Sequence, residues 1–104
     1  MDTLVSAKVA LLQALIRADG YGLDLIERVK TQTGGRIVLG QGSIYPALRE
    51  MEREGLISSY EGDPMPERGG RPRRYYQIEA EGKRVAQEHR EVVCELFLLR
   101  PVRM

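Results

Sequence analysis

The 104-residue chain has no tryptophan, one phenylalanine, one cysteine and one histidine, and each shortage closes off a class of function. A single cysteine, Cys94, excludes an internal disulfide. It falls in an apolar helical stretch and reads as a small buried hydrophobe rather than a redox sensor. The one histidine, His89, stands five residues before it. At about 100° per helical residue the two point roughly 140° apart, so they cannot share a metal or a proton on one face. Long apolar runs are missing too, as is a signal peptide, which makes the chain read as a cytoplasmic protein. Charge of one sign is also lacking: 16 Lys and Arg against 15 Asp and Glu leave a formal net charge of +1.

Catalytic motifs fail in the same way. The run from Gly35 to Gly40 begins like a phosphate-binding loop, but Gln41 and Gly42 stand where Lys and Ser/Thr are required. Gly40-Gln41-Gly42 misses the dinucleotide pattern because Tyr45 occupies the third glycine's place. Ser43 is no nucleophile elbow, since Gln41 and Tyr45 replace the flanking glycines. The residues point to no enzyme and no cofactor.

What the chain does hold is a helix followed by an arginine-tipped hairpin. Ser43 is a good N-cap, Pro46 suits a first turn where its missing N–H costs nothing, and Gly55 can close the helix. The spacing predicts a helix over Ile44 to Glu54. Ile44, Ala47, Leu48 and Met51 form one apolar stripe, which leaves Tyr45, Arg49, Glu52 and Arg53 on the outer side. Beyond it, Leu56 to Tyr60 and Arg74 to Ile78 are rich in β-formers and read as two strands. The loop between them carries Pro64, Pro66, Gly69, Gly70 and Pro72, with little apolar surface to bury. Arg68, Arg71, Arg73 and Arg74 therefore suit phosphate oxygens or a narrow minor groove. The bland alternative is that Arg73 and Arg74 pair with Glu61, Asp63 or Glu67 across the hairpin. Residues 41–78 hold six Arg and six Asp or Glu, and only the stretch Glu67 to Arg74 is locally basic, with four Arg against one Glu.

Several short motifs in this order resemble the PadR family of bacterial transcriptional regulators, in its small form with one C-terminal helix. They are Tyr21-Gly22-Leu23, Gly42-Ser43-Ile44-Tyr45-Pro46-Ala47-Leu48, Glu54-Gly55-Leu56-Ile57, Gly70-Arg71-Pro72-Arg73-Arg74-Tyr75-Tyr76 and Glu81-Gly82. The resemblance spans about Leu4 to Gly82. It implies a homodimeric winged-helix repressor with the recognition helix in the major groove and Tyr45 near the DNA backbone.

The end segments argue for two subunits. A first helix, about Thr3 to Arg17, carries one stripe of Leu4, Ala7, Leu11, Ala14 and Leu15 and a second of Val5, Val9, Leu12 and Ile16. A helix apolar on most sides needs more than one neighbour. The second helix, from Tyr21 or Gly22 to about Thr33, covers one stripe with Leu23, Leu25, Ile26 and Val29. A final helix from about Glu79 to Leu99 presents Val85, His89, Val92, Leu96 and Leu99, widened by Ala86, Val93 and Phe97. The alternative is a core helix of the same subunit. Residues 100–104 read as a frayed tail.

The expected protein is α+β, a winged helix-turn-helix domain over residues 1–78 with a C-terminal dimerisation helix and tail over 79–104. Its partners would be double-stranded DNA and a second copy of itself. Gln41, Ser43, Tyr45, Arg49 and Arg53 are the helix contacts, and Arg68, Arg71, Arg73 and Arg74 hold the flanking phosphates or minor groove. Leu12, Val85, His89, Val92, Val93, Leu96, Phe97 and Leu99 are the dimer contacts. Two other readings stay open: a winged-helix module for protein contact, and an effector sensor with a small-molecule site at the dimer interface. The resemblance permits the second, although Phe97 is the only aromatic residue in the last helix.

Overall fold

The structure, a computed structural model, describes residues 5–97. Helix α1 (Ala7–Arg17) leads through a two-residue strand β1 (Gly20–Tyr21) into α2 (Gly22–Gln32) and α3 (Gln41–Arg53). Strands β2 (Ile57–Pro64) and β3 (Pro72–Ile78) form the wing, and α4 (Ala80–Leu96) follows. The three strands make one antiparallel sheet in the order β1-β3-β2. This is the winged helix-turn-helix expected from the sequence.

Packing follows the apolar spacing. Leu11 and Leu15 of α1, Leu25 of α2 and Ile44, Leu48 and Met51 of α3 are the large side chains fully enclosed in the core. Each contributes on the order of 1.5–3 kcal/mol by leaving water. The second stripe of α1 is already partly covered within the subunit. Leu12 is only 5% exposed, so this expected dimer contact is instead a core residue. α1 begins at Ala7, later than expected, because Ser6 is the N-cap and its Oγ accepts from the Val9 N–H at 3.2 Å.

The start of α3 differs from expectation for a backbone reason. Gly40, extended at φ −94° and ψ 157°, is the N-cap, and its carbonyl accepts from the Ser43 and Ile44 N–H groups, both at 3.0 Å. Ser43 is thus a helical residue with its hydroxyl exposed, not the cap. Pro46 consequently lies in the second turn, where it cannot donate to the Gly42 carbonyl. Both residues are exposed, so the missing bond is not buried. The far end behaves as expected: Gly55 takes φ 76°, the Leu56 N–H reaches the Met51 carbonyl at 3.0 Å, and the Gly55 N–H reaches Glu52 at 3.0 Å.

Both wing strands run further than expected, and β1 adds a third that two residues could not announce. Gly20 pairs with Tyr76 and Tyr21 with Tyr75, while Ile57 pairs with Ile78 and Tyr60 with Tyr75 on the other side. A short 3₁₀ turn, Pro66–Arg68, and Gly69 and Gly70 at φ 68° and 82° close the tip.

The first turns of α4 belong to the same core. The Glu79 N–H bonds the Leu56 carbonyl at 2.9 Å, and Gly82 sits so close to that carbonyl that a Cβ there would collide with it and with Ile78. Ala86 is 1% exposed, and its carbonyl accepts from Gln13 Nε2 at 3.2 Å. Val85 packs half-buried against the core. The division expected at residue 78 therefore cuts through packed structure, and α4 leaves the domain only after Ala86. Cys94, expected to be buried, is half-exposed. Leu99 and the tail lie outside the described residues. Among the described residues no helix is long and apolar enough to cross a membrane.

Candidate nucleic-acid interface

The charged side chains of α3 are sorted by what holds them. Lys8 of α1 reaches Glu50 at 3.2 Å and Glu54 at 2.9 Å, and its ammonium is held above its ordinary pKa chiefly by the Glu54 hydrogen bond, with Glu50 adding and burial opposing. Glu52, placed on the free outer side by its spacing, is instead half-buried and accepts from Ser59 Oγ of β2 at 2.7 Å. Arg49 and Arg53 are exposed with no carboxylate within 4.0 Å among the described residues. Gln41 and Ser43 are likewise exposed, on the first turn.

Tyr45 is not simply an outer residue. It is half-buried, and its ring lies over Gly22, where an added Cβ would come within 2.8 Å of Cε1 and Cζ. The glycine lets the start of α2 approach α3 at this point. Arg28 secures that start from the other side, donating to the Ala14, Ala18 and Asp19 carbonyls at 2.7–2.9 Å and to Asp24 Oδ2 at 2.8 Å.

Between α2, α3 and the wing opens a cleft of about 560 Å³ lined by Tyr21, Gly22, Leu23, Tyr45, Arg68, Arg73, Arg74 and Tyr76. It brings together four of the expected contact residues: Tyr45 from the helix and Arg68, Arg73 and Arg74 from the wing. The alternative pairing of Arg73 and Arg74 with Glu61, Asp63 or Glu67 does not form among the described residues. The Arg73 guanidinium instead lies 4.3 Å from the centre of the Tyr21 ring. Arg71 stays outside the cleft at the exposed turn, its Nε donating to the Arg68 carbonyl at 2.9 Å. Burial raises the Tyr76 phenol, Arg74 and Arg49 pull it back, and Glu52 and Tyr45 push it up. The Tyr76 hydroxyl thus feels both the helix and the wing.

Sequence reasoning missed Tyr21, Leu23 and Tyr76 as parts of this site. The motif Tyr21-Gly22-Leu23 was visible, but its closeness to the wing depends on the pairing of β1 with β3. On α4, His89, Val92, Leu96 and Phe97 are exposed, the last three by 59%, 71% and 62%, and Val93 is half-exposed.

The PadR-like transcriptional regulator family profile matches residues 11–88. No curated protein matches the chain. Among solved structures, a transcriptional regulator from Clostridium thermocellum is 24% identical with a TM-score of 0.72, covering 91% of this chain and 92% of that one. A PadR family transcription regulator from Clostridium difficile is 28% identical with a TM-score of 0.66, covering 88% and 97%. Pex from Synechococcus is 29% identical with a TM-score of 0.66, covering 86% and 83%. With the profile spanning most of the chain and the winged fold carrying its motifs at the cleft and the recognition helix, the chain belongs to the PadR-like family of transcriptional regulators.

Proposed function

We propose that this regulator is a cytoplasmic repressor that binds operator DNA as a homodimer. The observation that carries the DNA reading is the cleft: three arginines without carboxylate partners among the described residues, beside a recognition helix whose own carboxylates are held elsewhere. Phosphate oxygens supply the counter-charge that these guanidinium groups lack within the subunit. Arg68, Arg73, Arg74 and Tyr45 hold the backbone in the cleft, Arg71 meets it at the wing tip, and Gln41, Ser43, Arg49 and Arg53 face base edges in the major groove.

The exposed apolar residues of α4 support the second subunit. Val92, Leu96 and Phe97 lie beyond the packed half of the helix, on a molecule 60 Å long but only 29 Å and 22 Å across. Such a strip is stable in water when a second copy covers it. His89 and Val93 belong to the same strip, with Val85 at its inner edge. Two-fold symmetry then gives a pseudo-palindromic operator with half-sites about one helical turn, roughly 34 Å, apart.

Gel retardation of a duplex from the protein's own promoter region, with fluorescence anisotropy on a random duplex at low salt, tests the reading. The expected result is binding to both, tighter on the promoter. No binding to either at low salt refutes it, because an arginine wing that works gives visible non-specific binding.

A further inference from the structure

The Arg73 guanidinium lies over the Tyr21 ring at the head of a row of aromatic contacts. Tyr21 meets Tyr75 edge-on at 5.6 Å and 81°, and Tyr75 stacks on Tyr60 at 5.6 Å and 13°. The Tyr60 hydroxyl donates to Asp19 Oδ2 at 2.7 Å, and that hydrogen bond is the leading cause of the raised Tyr60 phenol. Asp19 directly precedes β1, so the row begins and ends on the segment that opens α2 and crosses the wing between. Its effect is to fix Tyr21 with one face against the wing arginine. An arginine on an exposed hairpin otherwise carries rotamer entropy that a phosphate contact must overcome.

We propose that Tyr21 is a positioning residue for DNA binding, holding Arg73 flat so that its N–H edge is presented to a backbone phosphate in the cleft. The inference rests on the DNA reading above. A guanidinium stacked on a ring uses its π face there and keeps its in-plane donors free. Tyr21 makes no charge contribution of its own. Its role is geometric, and Arg73 is the group through which it acts.

The experiment is a double-mutant cycle on a random duplex and on the promoter duplex, with thermal unfolding recorded for each variant. Tyr21→Phe keeps the ring and should bind like wild type. Tyr21→Leu removes the ring and should lower affinity about two- to fivefold, the range of an exposed cation–π contact, while leaving the salt slope unchanged because Arg73 is still charged. Arg73→Ala should lower both affinity and slope, the latter by about 0.9 for each phosphate that Arg73 neutralises. In the Arg73→Ala background, Tyr21→Leu should cost nothing further; an equal loss in both backgrounds marks a merely structural residue and overturns the proposal. Wild-type affinity for Tyr21→Leu, or for Arg73→Ala, also overturns it while leaving the DNA reading standing. Failure of the wild type to bind either duplex removes that reading and the proposal together. Should Tyr21→Leu not fold, the free wild type decides: the Tyr21 ring current shifts the Arg73 side-chain proton resonances upfield relative to Arg71, and an Arg73 without that shift overturns the stacking.

Discussion

Replacing Arg68 and Arg74 together by alanine removes two of the three cleft cations without disturbing a buried side chain. Arg74 is exposed and Arg68 half-exposed, and neither has a carboxylate within 4.0 Å among the described residues. Each guanidinium is therefore available in full to one phosphate, and removing it makes the slope of log K against log salt shallower by about 0.9. A two-subunit complex in which each subunit sets three cleft arginines on phosphates has a slope of about −5.4 from the cleft alone, and the double variant retains about −1.8. Raising salt from 50 to 200 mM changes its logarithm by about 0.6. The cleft arginines should then account for a loss of about 10³ in affinity over that range in wild type and of only about tenfold in the variant. Anisotropy titrations on a random duplex across that range measure both slopes. Arg84→Ala is the control, since its guanidinium already faces Glu81 at 2.7 Å and Glu88 at 3.6 Å. A double variant with the wild-type slope, or an Arg84→Ala slope reduced as much, would show that the cleft arginines do not meet phosphates.

If Arg49 reads a base, Arg49→Ala should cost about 1–3 kcal/mol at one operator position and relax specificity there, whereas uniform loss across operator variants would make it a backbone contact. Gly22→Ala places a methyl group within 2.8 Å of the Tyr45 ring, so stability should fall by about 1–3 kcal/mol in denaturant unfolding; an unchanged midpoint would mean that α2 and α3 part easily. Lys8→Met removes two partly exposed ion pairs from α3 and should cost no more than roughly 1 kcal/mol. Because the folded Lys8 pKa is raised, that contribution is complete below the ordinary lysine value and is lost as pH climbs through the folded one. Wild type and variant should accordingly converge in alkaline unfolding, and a gap that widens there would refute the assignment. Val92→Asp with Leu96→Asp puts two carboxylates on the exposed strip of α4 and should turn a dimer into folded monomers in sedimentation at micromolar concentration; a monomeric wild type, or a variant that stays dimeric, would remove α4 as the subunit contact.

The elements legible in the sequence were those whose apolar spacing decides their burial. Ile44, Ala47, Leu48 and Met51 could be assigned to one buried stripe of α3 because nothing else could cover them, and all four are buried. The cap was not legible, since Ser43 is the better intrinsic N-cap and only the backbone of Gly40, extended and bonded to both Ser43 and Ile44, decides where the turn closes. Tyr45 and Glu52 looked free by helical angle alone. One rests on Gly22 and the other on Ser59, and both contacts depend on elements distant in sequence. The cleft failed for the same reason: its arginines were visible as a basic loop, but Tyr21 and Leu23 reach it only through the pairing of Tyr21 with Tyr75.

A net charge of +1 argues against DNA binding only if charge is spread evenly, and here it is not. Glu50 and Glu54 are held by Lys8, Glu52 by Ser59, and Glu79 by a short hydrogen bond of 2.5 Å from Ser58 Oγ, whereas Glu61, Asp63 and Glu67 of the wing are exposed with no cation within 4.0 Å among the described residues. Asp24 faces Arg28, and Glu81 and Glu88 face Arg84. A carboxylate paired one-to-one with a cation about 3 Å away, as Asp24 is with Arg28, contributes little field at the distance of a DNA backbone, because the pair is nearly neutral from afar and salt screens what remains beyond about 10 Å. Glu52 and Glu79, held by neutral hydroxyls, and the carboxylate pairs that share Lys8 or Arg84 keep a net negative charge. Arg49, Arg53, Arg68, Arg73 and Arg74 have no such partner among the described residues, so their positive field reaches a ligand at the cleft and the outer face of α3, opposed on the wing by Glu61, Asp63 and Glu67. Whole-chain charge sums the paired and the unpaired groups alike, whereas binding responds to the unpaired ones on one surface. Glu50, Glu52 and Glu54 act instead to fasten the recognition helix to α1 and β2, which leaves Glu61, Asp63 and Glu67 of the wing as the acidic residues that oppose the arginines.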